Sequence, residues 1–167
     1  MDKDSSLANL LLEVNSLQSK RVSVEASRII NAAVDRLWAE VANFNNVAAW
    51  HPDVTERQRE GAGPGGGKPG DIRVLKLRNG TSVRERLVRI DPEAHRYEYS
   101  VLDGQLPLKN HISTMAMRTV DARRTEVTWQ ASCEPAGIPA EALVEGVRSS
   151  VLELGLEGLT QKVLDAE

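Results

Sequence analysis

The spacing of apolar residues changes period several times along this chain, and each change marks an element. Leu7, Leu10, Leu11, Val14 and Leu17 fall at i, i+3, i+4, i+7 and i+10. That is one helix face, with Asp4, Ser5 and Ser6 available as caps. From Val22 to Ile30 the period shortens. Val22, Val24, Ala26 and Arg28 alternate with Ser23, Glu25, Ser27 and Ile29, which reads as a strand with one mixed end. Helical spacing returns at Val34, Leu37, Trp38 and Val41, with Asp35 in the first turn. Phe44, Val47 and Ala48 make a second short helical turn. Pro52 stops it, because the residue before a proline disfavours helical backbone.

A run of strand-like segments fills Asp53 to Glu134. The stretch Gly61-Ala62-Gly63-Pro64-Gly65-Gly66-Gly67-Lys68-Pro69-Gly70 must be a loop. It is not a phosphate loop: Lys68 is followed by Pro69, so the Ser/Thr and the helix N-terminus that hold phosphate are missing. A lid beside a pocket mouth and a plain hairpin loop are the two readings. Next come Ile72–Leu77 and Ser82–Ile90, joined across Asn79-Gly80, a hairpin signal. A two-residue turn would set Arg73 against Arg86 and Val74 against Glu85. A three-residue turn with a glycine bulge sets Leu77 against Thr81, Leu75 against Val83 and Arg73 against Glu85. Cross-strand pairing favours the second. It puts Arg73, Leu75, Leu77, Val83, Glu85 and Leu87 on one sheet face. Farther on, Tyr97, Tyr99 and Val101 alternate with Arg96, Glu98 and Ser100. Lys109 to Thr119 is a strand with His111, Ser113, Met115 and Met117 on one side. Val127, Trp129, Ala131 and Cys133 alternate with Glu126, Thr128, Gln130 and Ser132.

The chain closes on a helix from about Pro139 to Val163, with the stripe Leu143, Val144, Val147, Val151, Leu154, Leu156, Leu159 and Val163. Gly146, Gly155 and Gly158 interrupt it. Each interior glycine costs about 1 kcal/mol relative to alanine, so three imply close approach to the sheet or room left for a ligand. A long antiparallel sheet followed by one long helix must bury a sheet face against that helix, an α+β arrangement. A curved sheet gripping a helix often leaves a hollow, and hollows bind small apolar molecules.

Composition narrows the function. The chain has 167 residues, 41 % of them apolar and 27 % charged, with a net charge of −3. That suits one globular domain and argues against non-specific nucleic-acid binding, which needs a positive surface. The single cysteine, Cys133, forms no intramolecular disulfide and reads as a small buried hydrophobe. The start Met1-Asp2-Lys3-Asp4 lacks a basic region and a long apolar run, so no signal peptide is expected, and no apolar run approaches the roughly 20 residues of a membrane span. A cytoplasmic location is expected. His51, His95 and His111 are too scattered for a metal site, and neither a nucleotide fingerprint nor a Ser–His–Asp arrangement is present. No metal and no cofactor are expected.

The order of these elements and their punctuation resemble a known family. The residues that carry the resemblance are Ala33–Val41 with Leu37-Trp38, Trp50-His51-Pro52, Gly70-Asp71-Ile72-Arg73, and Gly80 through Arg84-Glu85-Arg86-Leu87. Asp91, Tyr97, Tyr99, Pro107, Val127-Thr128-Trp129 and Gly155-Leu156 continue it. Across residues 20–163 the chain is similar to the START-like, helix-grip (SRPBCC) superfamily, and within it to bacterial polyketide cyclase/dehydrase and lipid-transport proteins. The resemblance implies a seven-stranded antiparallel sheet wrapped round the C-terminal helix, with an internal cavity. It divides the chain into an N-terminal helical extension, 1–21, and a START-like ligand-binding domain, 22–165. The extension is either packed on its own domain, frayed, or the contact of a homodimer.

Candidate chemistry follows from residue type and position. His51 sits at the rim expected of the pocket, where an imidazole can exchange protons near neutral pH or simply order the connection through a backbone hydrogen bond. Glu85 on an apolar face needs a partner, and Arg73 is the obvious one. That pair is either a structural bridge or a grip on a polar ligand group. His111 shares its face with Met115 and Met117. Trp50, Tyr97, Tyr99 and Trp129 are large inward residues that build core or cavity wall. Besides a protein-interaction role through the N-terminal helix, two functions stay open. One is a carrier or binding protein for a hydrophobic or polyketide-like molecule. The other is a cyclase or dehydratase in which His51, Glu85 or His111 moves protons while Arg73, Tyr97 or Tyr99 holds an enolate oxygen.

Overall fold

Seven strands build one antiparallel sheet: β1 (Val22–Ile30), β2 (Val54–Glu60), β3 (Ile72–Leu77), β4 (Ser82–Asp91), β5 (Arg96–Gly104), β6 (Leu108–Asp121) and β7 (Arg124–Pro135). Their order across the sheet is β1-β7-β6-β5-β4-β3-β2. The structure is a computed structural model that describes residues 6–12, 20–60 and 67–166. Between β1 and β2 lie helix α1 (Val34–Val41) and a 3₁₀ turn (Phe44–Ala49). The closing helix has three consecutive parts: α2 (Ala140–Gly146), a π-helical segment (Val147–Glu153) and α3 (Leu154–Leu164). This is the helix-grip arrangement, a curved sheet folded about one long C-terminal helix.

The β3–β4 hairpin adopts the bulged register. Leu75 pairs with Val83 and Arg73 with Glu85. The Leu77 N–H donates to the Thr81 carbonyl at 2.8 Å, and Gly80 takes a φ of +86°, which only glycine adopts without strain. Arg73, Leu75, Val83, Glu85 and Leu87 are all buried. Register shifts at Arg84/Glu85 and Leu87/Arg89 put two irregularities into β4. Such bulges raise local twist and bend the strand, which helps the sheet curl. On the convex face the interleaved charges pair across strands: Arg84 meets Glu60 and Asp103, and Arg118 meets Glu126. The core is continuous from Val24 through Leu37, Leu87 and Met115 to Leu152 and Leu159. Cys133 is fully buried within it.

The closing helix departs from the expected stripe. Leu143, Val147, Leu152, Leu156, Leu159 and Val163 are buried, whereas Val144, Val151 and Leu154 are only half-buried. The step from Val147 to Leu152 is five residues, not three or four. It coincides with the π segment, where the Leu154 N–H reaches back five residues to the Ser149 carbonyl. A π turn inserts one residue into the helical period and rotates everything beyond it. Regular 3.6-residue spacing therefore put Val151 in the core and left out Leu152.

Residues 6–12 are helical, and Leu7, Leu10, Leu11 and Leu12 are exposed. Val14 and Leu17, the remainder of that expected face, lie outside the described residues, as do residues 61–66 of the glycine-rich loop with its expected lid. Among the described residues no helix is long and apolar enough to cross a membrane.

Candidate functional site

A cavity of about 90 Å³ lies between the concave sheet and the π segment. Its wall is mostly aliphatic, from Leu75, Val83, Val101, Ala131 and Val147 among others. Six of the candidate residues line it: His51, Arg73, Glu85, Tyr99, His111 and Trp129. Trp50 and Tyr97 are buried but stand outside that lining. Tyr97 packs against Phe44, Trp38 and Tyr99, at ring separations of 6.3, 6.4 and 6.0 Å. Burial pushes its hydroxyl up to about 12.

The floor is a buried ion pair. Arg73 is 2 % exposed and Glu85 8 %. Arg73 Nε donates to Glu85 Oε2 at 2.6 Å, and Nη1 donates to the Phe44 carbonyl. The guanidinium also stacks 3.8 Å over the Phe44 ring. Desolvating two charges is costly, and such a pair persists only when further contacts satisfy it. Here the 3₁₀ turn supplies both a carbonyl and an aromatic face, which holds Arg73 in one orientation. Glu85 is held at one oxygen only. Among the described residues Glu85 Oε1 accepts no hydrogen bond and Arg73 Nη2 donates none.

His51 is bound at both nitrogens. The Asp53 N–H donates to Nδ1 at 3.2 Å, so the ring proton resides on Nε2. That N–H donates to the Val151 carbonyl in the π segment at 2.9 Å. Burial lowers the pKa of His51, against a smaller opposing pull from the Val151 bond. The ring is therefore neutral at pH 7, and it ties the helix to the 50–53 connection. The glycines on the neighbouring turns permit that approach. A methyl at Gly155 would overlap the Trp129 ring and stand 2.8 Å from His51 Cδ2. One at Gly158 would overlap the Trp50 carbonyl oxygen and stand 2.5 Å from Pro52 Cδ.

His111 faces inward with Ser113. The Val101 N–H donates to its Nδ1 at 3.0 Å, so Nε2 carries the proton and donates to Ser113 Oγ at 2.8 Å. Burial lowers its pKa, with Glu85 pulling the other way. Trp129 Nε1–H donates to the Tyr99 hydroxyl at 3.2 Å. Tyr99 pairs directly with Ser113 across β5 and β6, and burial raises its pKa far above the ordinary value. Sequence reasoning did not single out Ser113, nor Leu106 and Leu108 on the cavity wall. The period of two that links Ser113 to His111, and a proline flanked by two leucines, were the available signals. Among the described residues no three His, Cys, Asp or Glu side chains are placed to hold a metal ion.

Solved structures share this architecture. XoxI from Bacillus cereus superposes with a TM-score of 0.77 at 21 % identity, covering 87 % of this chain and 97 % of that one. A Thermobifida fusca protein gives 0.74 at 28 % identity, covering 87 % and 95 %. Norcoclaurine synthase from Thalictrum flavum gives 0.73 at 12 % identity, covering 92 % of each chain. No curated protein sequence matches the chain. The family model described as polyketide cyclase / dehydrase and lipid transport matches residues 21–164. With that match spanning the whole sheet and the closing helix, the chain belongs to the polyketide cyclase/dehydrase and lipid transport family.

Proposed function

We propose that this protein binds a small, largely apolar molecule in the cavity beneath the π segment. The observation that carries the reading is an aliphatic wall converging on the Arg73–Glu85 pair, which still has hydrogen-bonding capacity on the cavity side. Apolar lining with a few fixed polar groups is the usual makeup of a ligand site. The same fold in norcoclaurine synthase was solved in complex with dopamine and hydroxybenzaldehyde, two small aromatic molecules. The volume bears on ligand size. About 90 Å³ corresponds to roughly three water molecules, whereas drug-sized ligands occupy about 300–1,000 Å³. A polyketide-length guest enters only if the wall moves. The β5–β6 connection is the element to move, because Val101, Leu106, Leu108 and His111 line both the cavity and a pocket of about 410 Å³ beside it.

The cyclase or dehydratase reading rests on Glu85, a cavity-lining carboxylate whose Oε1 accepts no hydrogen bond among the described residues. His51 suits it poorly, because both ring nitrogens are committed to backbone groups. Native mass spectrometry of freshly purified protein tests the binding function. A co-purified small molecule is expected, and it should be lost from Ala131→Phe, which fills the cavity. A folded wild-type protein that carries no guest and takes none from a cell extract argues against it.

A further inference from the structure

Counting protons around the cavity narrows the class of ligand, on the binding reading above. Five donors surround His111, Ser113 and Tyr99: the Val101 N–H, His111 Nε2–H, Trp129 Nε1–H and the two hydroxyls. Val101 donates to His111, His111 to Ser113, and Trp129 to Tyr99. Tyr99 and Ser113 face each other across β5 and β6, so one hydroxyl can donate to the other and consume one hydroxyl proton. The other hydroxyl proton has no acceptor among the described residues. Both Ser113 and Tyr99 line the cavity and are buried to 1 % and 3 % exposure. On the adjoining strand, Glu85 Oε1 is an acceptor without a donor. Glu85 pairs with Val101 and Leu87 with Tyr99, so Glu85 and Tyr99 are diagonal neighbours on one face. The β4–β6 part of the wall thus presents a spare hydroxyl donor beside a spare carboxylate acceptor, with Arg73 Nη2 as a further unused donor and Asp53 and Ser150 elsewhere on the lining.

We propose that this wall recognises a neutral hydroxyl group, an alcohol or a phenol. The ligand hydroxyl donates to Glu85 Oε1 and accepts from the Ser113/Tyr99 pair, while its hydrocarbon part lies on Leu75, Val83 and Val147. Glu85 Oε1 and the spare hydroxyl each gain a partner, and the ligand group leaves water without losing a bond. A hydrocarbon satisfies neither group. A carboxylate brings a second negative charge against Glu85, whose own charge already neutralises Arg73.

Phenol and toluene separate these cases because they have the same shape and differ by hydroxyl against methyl. Titrated into the full-length protein by NMR, phenol is expected to bind roughly tenfold tighter or more than toluene, and benzoate weaker than phenol. Glu85→Gln should erase the preference. Its amide oxygen still meets Arg73, but an NH₂ replaces Oε1 and turns the acceptor into a donor. Toluene binding as tightly as phenol overturns the inference and leaves the cavity reading standing. Benzoate binding tightest overturns it in favour of an anion site on Arg73. Binding of none of the three also overturns the inference, while the co-purification experiment decides the ligand-binding reading separately. The wild-type comparison is decisive even if Glu85→Gln does not fold.

Discussion

The two ends of the closing helix use the same residue for opposite purposes. In α3, Gly155 and Gly158 exist because there is no room: Trp129, His51 and the Trp50 carbonyl occupy the space a Cβ would need. At the end of α2, Gly146 is exposed and a methyl there would meet nothing within 4 Å. The π segment separates the two regimes. It turns Leu152 into the core and swings Val147, Ser150 and Val151 onto the cavity. One half of the helix is clamped against the 50–52 connection, and the other roofs a hollow. A fold of this kind gets rigidity and a binding site from one element by changing its phase once.

The largest test of that contrast removes the charge from the cavity floor. Arg73→Met strands Glu85 and should cost about 3–5 kcal/mol in urea unfolding. Arg73→Met combined with Glu85→Leu should recover most of it, since a well-packed apolar pair is often neutral. If the double variant is as unstable as the single one, Arg73 acts through Phe44 more than through Glu85. Next in size, Gly158→Ala should destabilise by about 1–3 kcal/mol, because backbone and proline atoms must shift to admit the methyl.

The pH dependence comes third. Burial holds His51 and His111 below their ordinary 6.5 in the folded protein. The unfolded chain therefore takes up protons first. Stability contributed by these two groups is flat above pH 6.5 and falls as pH drops below it, by at most about 1.4 kcal/mol per histidine per pH unit. Thermal unfolding between pH 7.5 and 5 reads this directly, and His111→Asn should remove the cavity-side share. Smallest, Gly146→Ala should stabilise by about 1 kcal/mol, the helix-propensity gain with nothing to oppose it. Opposite signs for Gly146→Ala and Gly158→Ala in one chemical denaturation experiment would establish the division of the helix. Equal signs would abolish it.

What was legible in the sequence was local. Asn79-Gly80 and the pairing of Arg73 with Glu85 specify the hairpin register, because turn chemistry and charge pairing act over a few residues. The inward faces of β5 and β7 followed from alternation. In the closing helix Leu143, Val147, Leu156, Leu159 and Val163 are buried as the spacing expects, whereas Leu152 takes the core place expected of Val151 and Leu154, since no residue pattern announces a π turn. Long-range partners were also out of reach. The Val151 carbonyl that holds His51 lies 100 residues away, and the Phe44 carbonyl that holds Arg73 lies 29 away. Tyr97 and Tyr99 look alike by alternation, yet only Tyr99 lines the cavity, because Phe44 and Trp38 close over Tyr97.

The central claim is that the hollow beneath the π segment, and not the clamped end of the helix, receives the ligand. Side-chain methyl NMR of the full chain during a phenol titration tests it most directly. The account predicts saturable shifts at Val147, Val151, Leu75 and Leu106, with Leu159 and Val163 unmoved. Shifts centred on Leu159 and Val163, or none anywhere at millimolar phenol, would contradict it.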